Sequence, residues 1–220
     1  MIDLHTHTFF SDGVLSPSEL VYRAKCNGYK AIAITDHVDY SNMELVIPNI
    51  VKVTQILTKS YGIGVLAGAE LTYVPPNLIS LAAKECRKLG ARVLVVHGET
   101  VAETVPAETN FYAVCADIDI LAHPGHLTPQ EAELAAKNDI KIEITTRRGH
   151  GVTNEEVAKT ALSKNAKLVL NTDFHCPDNF LTSELIDQVL KDCHLPGDYY
   201  QTMKSNSLEI IKKYGGCSEF

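Results

Sequence analysis

Long apolar runs are missing from this 220-residue chain, and no 18-residue stretch reads as a membrane span. No basic segment followed by an apolar run opens it, so no signal peptide is expected. The six cysteines, Cys26, Cys86, Cys115, Cys176, Cys193 and Cys217, form no C-x-x-C pair and no disulfide-like framework. They read as reduced thiols in a cytoplasmic protein. No low-complexity tract or Pro/Gly linker divides the chain, so residues 1–220 read as one domain able to bury a full core. Basic runs with interleaved aromatics are absent too, and the formal net charge is −7. Both facts argue against nucleic acid as a partner, although a site holding several divalent cations would be locally positive.

Short apolar runs alternate with helical patterns. The runs are 2–7, 31–35, 63–71, 91–99, 118–125, 140–146 and 166–175. They are continuously apolar rather than strictly alternating, which suits strands covered on both faces in a parallel sheet. Between them, Ser16, Pro17 and Glu19 mark a helix start, with Gly28 at its end. Thr128, Pro129 and Glu131 repeat that logic, and Thr153 with Glu156 suggests it again. The stretch 77–90 ends in Lys88 and Gly90, as a helix C-terminus should. Residues 181–214 read as two helices broken at "LPGD", with Asn206 or Ser207 capping "SNSLEIIKK". Their expected job is to cover the barrel wall and close the gap left by a missing eighth unit.

A polar residue ends each run, at 7, 37, 70, 97, 123, 145 and 175, in steps of 22 to 33 residues. Each step is one βα unit. An open doubly wound sheet gathers its site at one switch point and needs no such repetition. In a barrel, all strand ends converge on one rim. The expected fold is therefore α/β, a TIM-like barrel with seven strands, since eight need about 250 residues.

The strand ends carry His5 and His7, then Asp12; Asp36 and His37; Glu70; His97 and Glu99; His123 and His126; Arg147, Arg148 and His150; and Asp173 and His175. His5 and His7 sit at i and i+2, so on a strand they share a face and can chelate one ion. Asp173 and His175 have the same spacing. Imidazole nitrogen and carboxylate oxygen suit zinc, manganese or iron(II). These donors are too many for one ion, and unpartnered they would be an expensive polar cluster. Two or three divalent ions, bridged by a carboxylate, are expected. Asp12 reads equally as a turn residue before Gly13, and Asp36 as a partner that orients a ligand histidine.

The motifs "DLHTHTFFSDG", "ITDH", "GAE", "VVHGE", "AHPG" and "NTDFH", in this order, resemble those of the PHP (polymerase and histidinol phosphatase) family. The chain is most similar to its small histidinol-phosphatase-like phosphoesterases. That resemblance implies a distorted seven-stranded β/α barrel with a trinuclear site. One ion would take His5, His7, Glu70 and Asp173; a second Glu70, His97 and His123; a third Asp12, His37 and His175. It further implies a metal-dependent phosphoric ester hydrolase, acting on a small phosphorylated substrate through a metal-bridging hydroxide.

"TTRRGH" lies outside that shared set. Arg147 or Arg148 could clamp a phosphate, and strand alternation sends only one of them inward. His126 or His150 could protonate the leaving oxygen. Three rival functions start from the same residues. A phosphodiesterase or exonuclease would act on nucleotides or oligonucleotide ends. An amidohydrolase-type enzyme also opens with H-x-H, but bridges its metals with a modified lysine where this chain has His97-Gly98-Glu99. A non-catalytic metal-binding scaffold would show gaps in the ligand set, and none is found.

Overall fold

A computed structural model describes residues 1–214. Cys217 lies outside the described residues. The strands are β1 (Ile2–Asp3), β2 (Ala31–Ile34), β3 (His37–Val38), β4 (Gly64–Leu71), β5 (Val93–His97), β6 (Ile120–Ala122), β7 (Lys141–Thr145) and β8 (Leu168–Asn171). The helices are α1 (Pro17–Cys26), α2 (Met43–Tyr61), α3 (Ile79–Leu89), α4 (Thr109–Val114), α5 (Pro129–Lys137), α6 (Asn154–Ser163), α7 (Ser183–Asp192) and α8 (Tyr199–Lys213).

Every strand pairing is parallel, in the order β1-β2-β4-β5-β6-β7-β8. The short β3 pairs with β4 beyond the end of β2. The sheet is therefore the expected seven-stranded TIM-like barrel, with β3 as a short continuation of the second strand. The seam between β8 and β1 is sewn mostly by side chains. Asn171 Oδ1 accepts from Leu4 N at 2.9 Å, Thr172 Oγ1 donates to Asp3 at 2.6 Å, and one bridge joins Thr6 to Phe174.

Two-residue alternation splits the apolar residues into two sets. Ile32, Ile34, Leu94, Val96, Leu121, Ile142 and Leu170 face the helices. Ile2, Leu4, Ala31, Ala33, Leu66, Val95, Ile120 and Val169 face the barrel interior. With both faces buried, the strands read as unbroken apolar runs. Ile210 and Ile211 of α8 join the interior set. The C-terminal helix thus packs its apolar stripe against the barrel lining rather than only covering a wall. Asn206 and Ser207 are not a cap. They lie inside α8, where Asn206 donates to Leu168 O at 2.8 Å and Ser207 bonds back to Met203 O.

The helix signals at Ser16 and Thr128 hold. Ser16 Oγ accepts from Glu19 N, and Thr128 with Glu131 forms a complete capping box. Thr153 does not cap α6, because a 3-10 turn, His150–Thr153, leads into that helix instead. Among the described residues, no helix is long and apolar enough to cross a membrane.

Candidate metal centre

Alternation also aims the polar residues. Glu70 lies on the inner face of β4 with Leu66, and His97 on that of β5 with Val95. Strict alternation would send His123 outward with Leu121. A φ of 26° at His123 turns its ring inward, and Asp173 is likewise left-handed at φ 50°. Such conformations are uncommon for residues with a Cβ and persist where the surroundings enforce them.

Asp12 arrives by a turn over the start of the chain. Ser11 N and Gly13 N both donate to Thr8 O, at 3.1 and 2.9 Å. Buried Asp36 holds the turn. It accepts from Thr8 N, Thr8 Oγ1, Ser11 N and Ser11 Oγ, and reaches a histidine only through Ser11, whose Oγ lies 3.4 Å from His7 Nδ1. At Gly13 a Cβ would meet His7 O at 2.4 Å. Gly13→Ala is therefore expected to cost about 2 kcal/mol and to lower Tm by roughly 4–8 °C in a thermal melt.

The nine histidines and carboxylates implied by the motifs converge. Glu70 is central. Its Oε1 lies 3.3 Å from His5 Nε2 and 3.7 Å from His123 Nε2. Its Oε2 lies 3.5 Å from His7 Nε2 and 2.7 Å from His37 Nδ1. Asp173 Oδ1 lies 3.1 Å from His7 Nε2 and 3.5 Å from His5 Nε2. Asp12 lies 3.0 Å from His175 Nε2 and 3.7 Å from His37 Nε2. His7, Asp12, His37 and His175 form one group of converging donor atoms; His5, His7 and Glu70 form a second; His5, His123 and Asp173 form a third.

Several histidines are oriented from behind. His97 and His175 direct Nδ1 at the carbonyls of Gly98 and Asp173, at 3.0 and 2.8 Å. His5 Nδ1 meets Glu143 Oε2 at 2.8 Å, and Asn171 Nδ2 donates to the same oxygen at 2.9 Å. This arrangement leaves Nε2 of each ring facing the cluster. Sequence reading missed Glu143. Its one signal is a carboxylate inside the apolar run "IKIEI", on the inward register of β7.

The electrostatics are those of a cluster short of positive charge. Burial opposes ionisation of Glu70 and Asp173, yet the surrounding histidines hold both carboxyls well below their usual range. Burial also opposes charge on His5, but Glu143, Glu70 and Asp173 together push it well up. His37 is pushed up to about 9, as Glu70 outweighs burial. Burial and the neighbouring His37 push His7 down to about 3.

The donor set fits divalent metal ions. Buried atoms without a hydrogen-bond partner include His5 Nε2, His7 Nε2, both nitrogens of His123, both oxygens of Glu70 and Asp173 Oδ1. Buried polar atoms are normally satisfied. Here those left open are good ligand atoms and point at one another.

The remaining sequence candidates separate. Arg147 reaches the cluster, with Nε 3.8 Å from Asp173 Oδ2, while Arg148 is exposed. His150 stacks edge-on against His123 at 4.6 Å. His126 is 71% exposed and faces Glu156 at 3.3 Å. Glu99 accepts from Asn110 N at 3.0 Å and so ties down the loop after β5. A cavity of about 290 Å³ beside the cluster is lined by Asp12, His37, Thr72, Tyr73 and Glu103. A larger one, about 540 Å³, lies between α2 and the start of β4, and its lining contains neither histidine nor carboxylate.

An uncharacterized protein of Methanocaldococcus jannaschii is 47% identical over 85% of this chain and 87% of its own length. A probable phosphatase of Proteus mirabilis is 27% identical over 97% of this chain and 95% of its own. Among solved structures, a chain of archaeal ribonuclease P bound to mature tRNA superposes with a TM-score of 0.72 at 16% identity, covering 97% of this chain and 91% of that one. Histidinol phosphate phosphatase of Lactococcus lactis, bound to zinc, histidinol and phosphate, gives 0.58 at 16% identity, covering 98% and 94%. The PHP domain model matches residues 3–214, nearly the whole chain, so this protein belongs to the PHP domain family of metal-dependent phosphoesterases.

Proposed function

We propose that the protein is a phosphomonoester phosphatase acting on a small phosphorylated alcohol. The observation that carries this reading is the set of buried, unpartnered ligand atoms lying beside one guanidinium, that of Arg147. The probable phosphatase among its relatives and the fold shared with a histidinol phosphate phosphatase support it.

His5, His7, Asp12, His37, Glu70, His97, His123, Asp173 and His175 would hold two or three divalent ions. When bound, such ions lower the pKa of water and neutralise charge on a phosphoryl group. The residues of the chain do the rest. Glu143 and the carbonyls of Gly98 and Asp173 fix the histidine rings. Arg147 carries a planar, permanently charged fork, suited to two phosphoryl oxygens. His126 faces Glu156 and takes no part.

The test is a panel assay of the manganese- or zinc-loaded protein. Histidinol phosphate and nucleoside monophosphates should release inorganic phosphate, whereas a bis(aryl) phosphodiester should not be cleaved. Phosphate release from none of the monoesters would overturn the reading. Arg147→Ala should raise KM roughly 10-fold or more with a smaller change in kcat, as loss of uniform binding requires. Arg148→Ala should leave both close to wild type.

A second reading, hydrolysis at an oligonucleotide end, is favoured by the rim of the site and by a shorter match, 37% identity over 32% of this chain, to a 5'-3' exoribonuclease of Haemophilus influenzae. Phe9, Tyr40 and Tyr73 stand about half exposed on loops of the site rim, and such rings can stack on bases. Cleavage of the diester, with the monoesters inert, would select it.

A further inference from the structure

The turn between β7 and α6 belongs to none of the ligand sets implied by the motifs, yet it aims a histidine at the cluster. Gly149, at φ 90°, reverses the chain, and Gly151 N donates to Arg147 O at 3.0 Å. Asn154 clamps the base of the turn, donating to Thr145 O at 2.8 Å and accepting from Thr145 N at 3.3 Å. His150 is therefore held on a braced turn. Its ring lies 4.6 Å from that of His123 and 6.0 Å from that of His97.

One ring nitrogen from each of His97, His123 and His150 lies within 4.8 Å of the others. His150 Nδ1 is buried without a partner, as are both nitrogens of His123. His97 has already committed Nδ1 to Gly98 O. Glu70, the carboxylate that the motifs would assign to His97 and His123, lies 3.7 Å from His123 Nε2 and is shared with His5, His7 and His37. Glu103 also approaches His97, at 3.6 Å, but its side chain is 41% exposed and accepts from the Tyr73 hydroxyl.

We propose that His150 is a further protein ligand of the ion held by His97 and His123, giving that ion three imidazoles beside the Glu70 carboxylate. The proposal rests on the metal-dependent reading above. Imidazole ligands add no negative charge, so this ion keeps more of its positive charge than one held mainly by carboxylates. That end of the centre, next to Arg147, is the one suited to an anionic phosphoryl oxygen. As a ligand, His150 spends its lone pair on the ion and no longer serves as the proton donor to a leaving group.

The experiment is a cobalt(II) titration of the metal-stripped full-length protein. It is followed by visible absorption and by competition with a chromophoric chelator. His150→Ala should weaken one cobalt equivalent by at least about 10–100-fold, the loss seen when even an outer partner of a ligand is removed. The other equivalents should bind as in wild type. His150→Gln, which keeps a polar head without an imidazole, should weaken the same equivalent. His126→Ala should match wild type, and far-UV circular dichroism should show all variants folded. Isotherms and spectra of His150→Ala and His150→Gln that superimpose on wild type would overturn the proposal and leave the metal-dependent reading standing. A wild-type protein that takes up no cobalt would overturn both.

Discussion

Glu70→Gln is expected to reduce turnover at limiting metal by about 10³-fold. The substitution keeps the size and shape of the side chain, so packing on β4 is preserved. What it removes is, among the described residues, the only buried carboxylate in contact with His5, His7, His37 and His123 together. Breaking one partner out of a buried charged arrangement costs roughly 3–5 kcal/mol, which is about 10²–10⁴ in an equilibrium constant. That loss falls on metal affinity, and activity follows occupancy. Excess manganese or zinc should restore part of the rate, which a residue acting only in the chemical step would not allow. Glu99→Gln is the matched control. Glu99 is also a strand-end glutamate, but its carboxylate serves Asn110 N, so activity within a few-fold of wild type is expected. A Glu70→Gln enzyme with wild-type kcat/KM at limiting metal would rule out the bridging role.

The barrel and most of its site are legible in the sequence for one physical reason. Parallel strands buried on both faces are forced to be apolar throughout, so a histidine or carboxylate at the end of such a run stands out. His5, Glu70, His97 and Asp173 are all visible in this way, and the structure brings them within contact of the cluster. Elements whose cause is not local are harder to read. Helix α2 has no side-chain cap at Asn42 and carries Pro48 within it. It holds because Val46, Ile47 and Ile50 are buried against the barrel, a tertiary reason. Glu143 sits in mid-strand, where a lone carboxylate looks like an error until Asn171 and His5 are placed beside it. Asp36 was visible, but its partners, Thr8 and Ser11, lie 25 to 28 residues away and depend on the barrel bringing the first two strands together. His126 and His150 follow strand ends alike; the left-handed Gly149 and the Asn154 clamp, against the exposed contact of His126 with Glu156, separate the inward ring from the outward one.

Removing the metals is expected to lower Tm by about 5–15 °C for each ion lost, with full recovery on adding manganese or zinc back. The magnitude follows from linkage. An ion present at 100 to 1,000 times its dissociation constant stabilises the folded state by about 2.7–4.1 kcal/mol per site. Each kcal/mol moves Tm by roughly 2–4 °C in a chain of this size. The drop does not become complete unfolding, because the cluster partly compensates for lost cations with protons. Without metal, His37 is pushed up to about 9 and His5 well above its ordinary value, so both carry positive charge at neutral pH beside Glu70 and Asp173. Rebinding an ion must expel those protons. Titration of the stripped protein with manganese or zinc in a weakly buffered solution at neutral pH should therefore release protons, measurable by indicator dye, in step with the recovery of Tm. A melting temperature indifferent to chelator, with no protons released on titration, would mean that these histidines and carboxylates hold no ion in the folded protein.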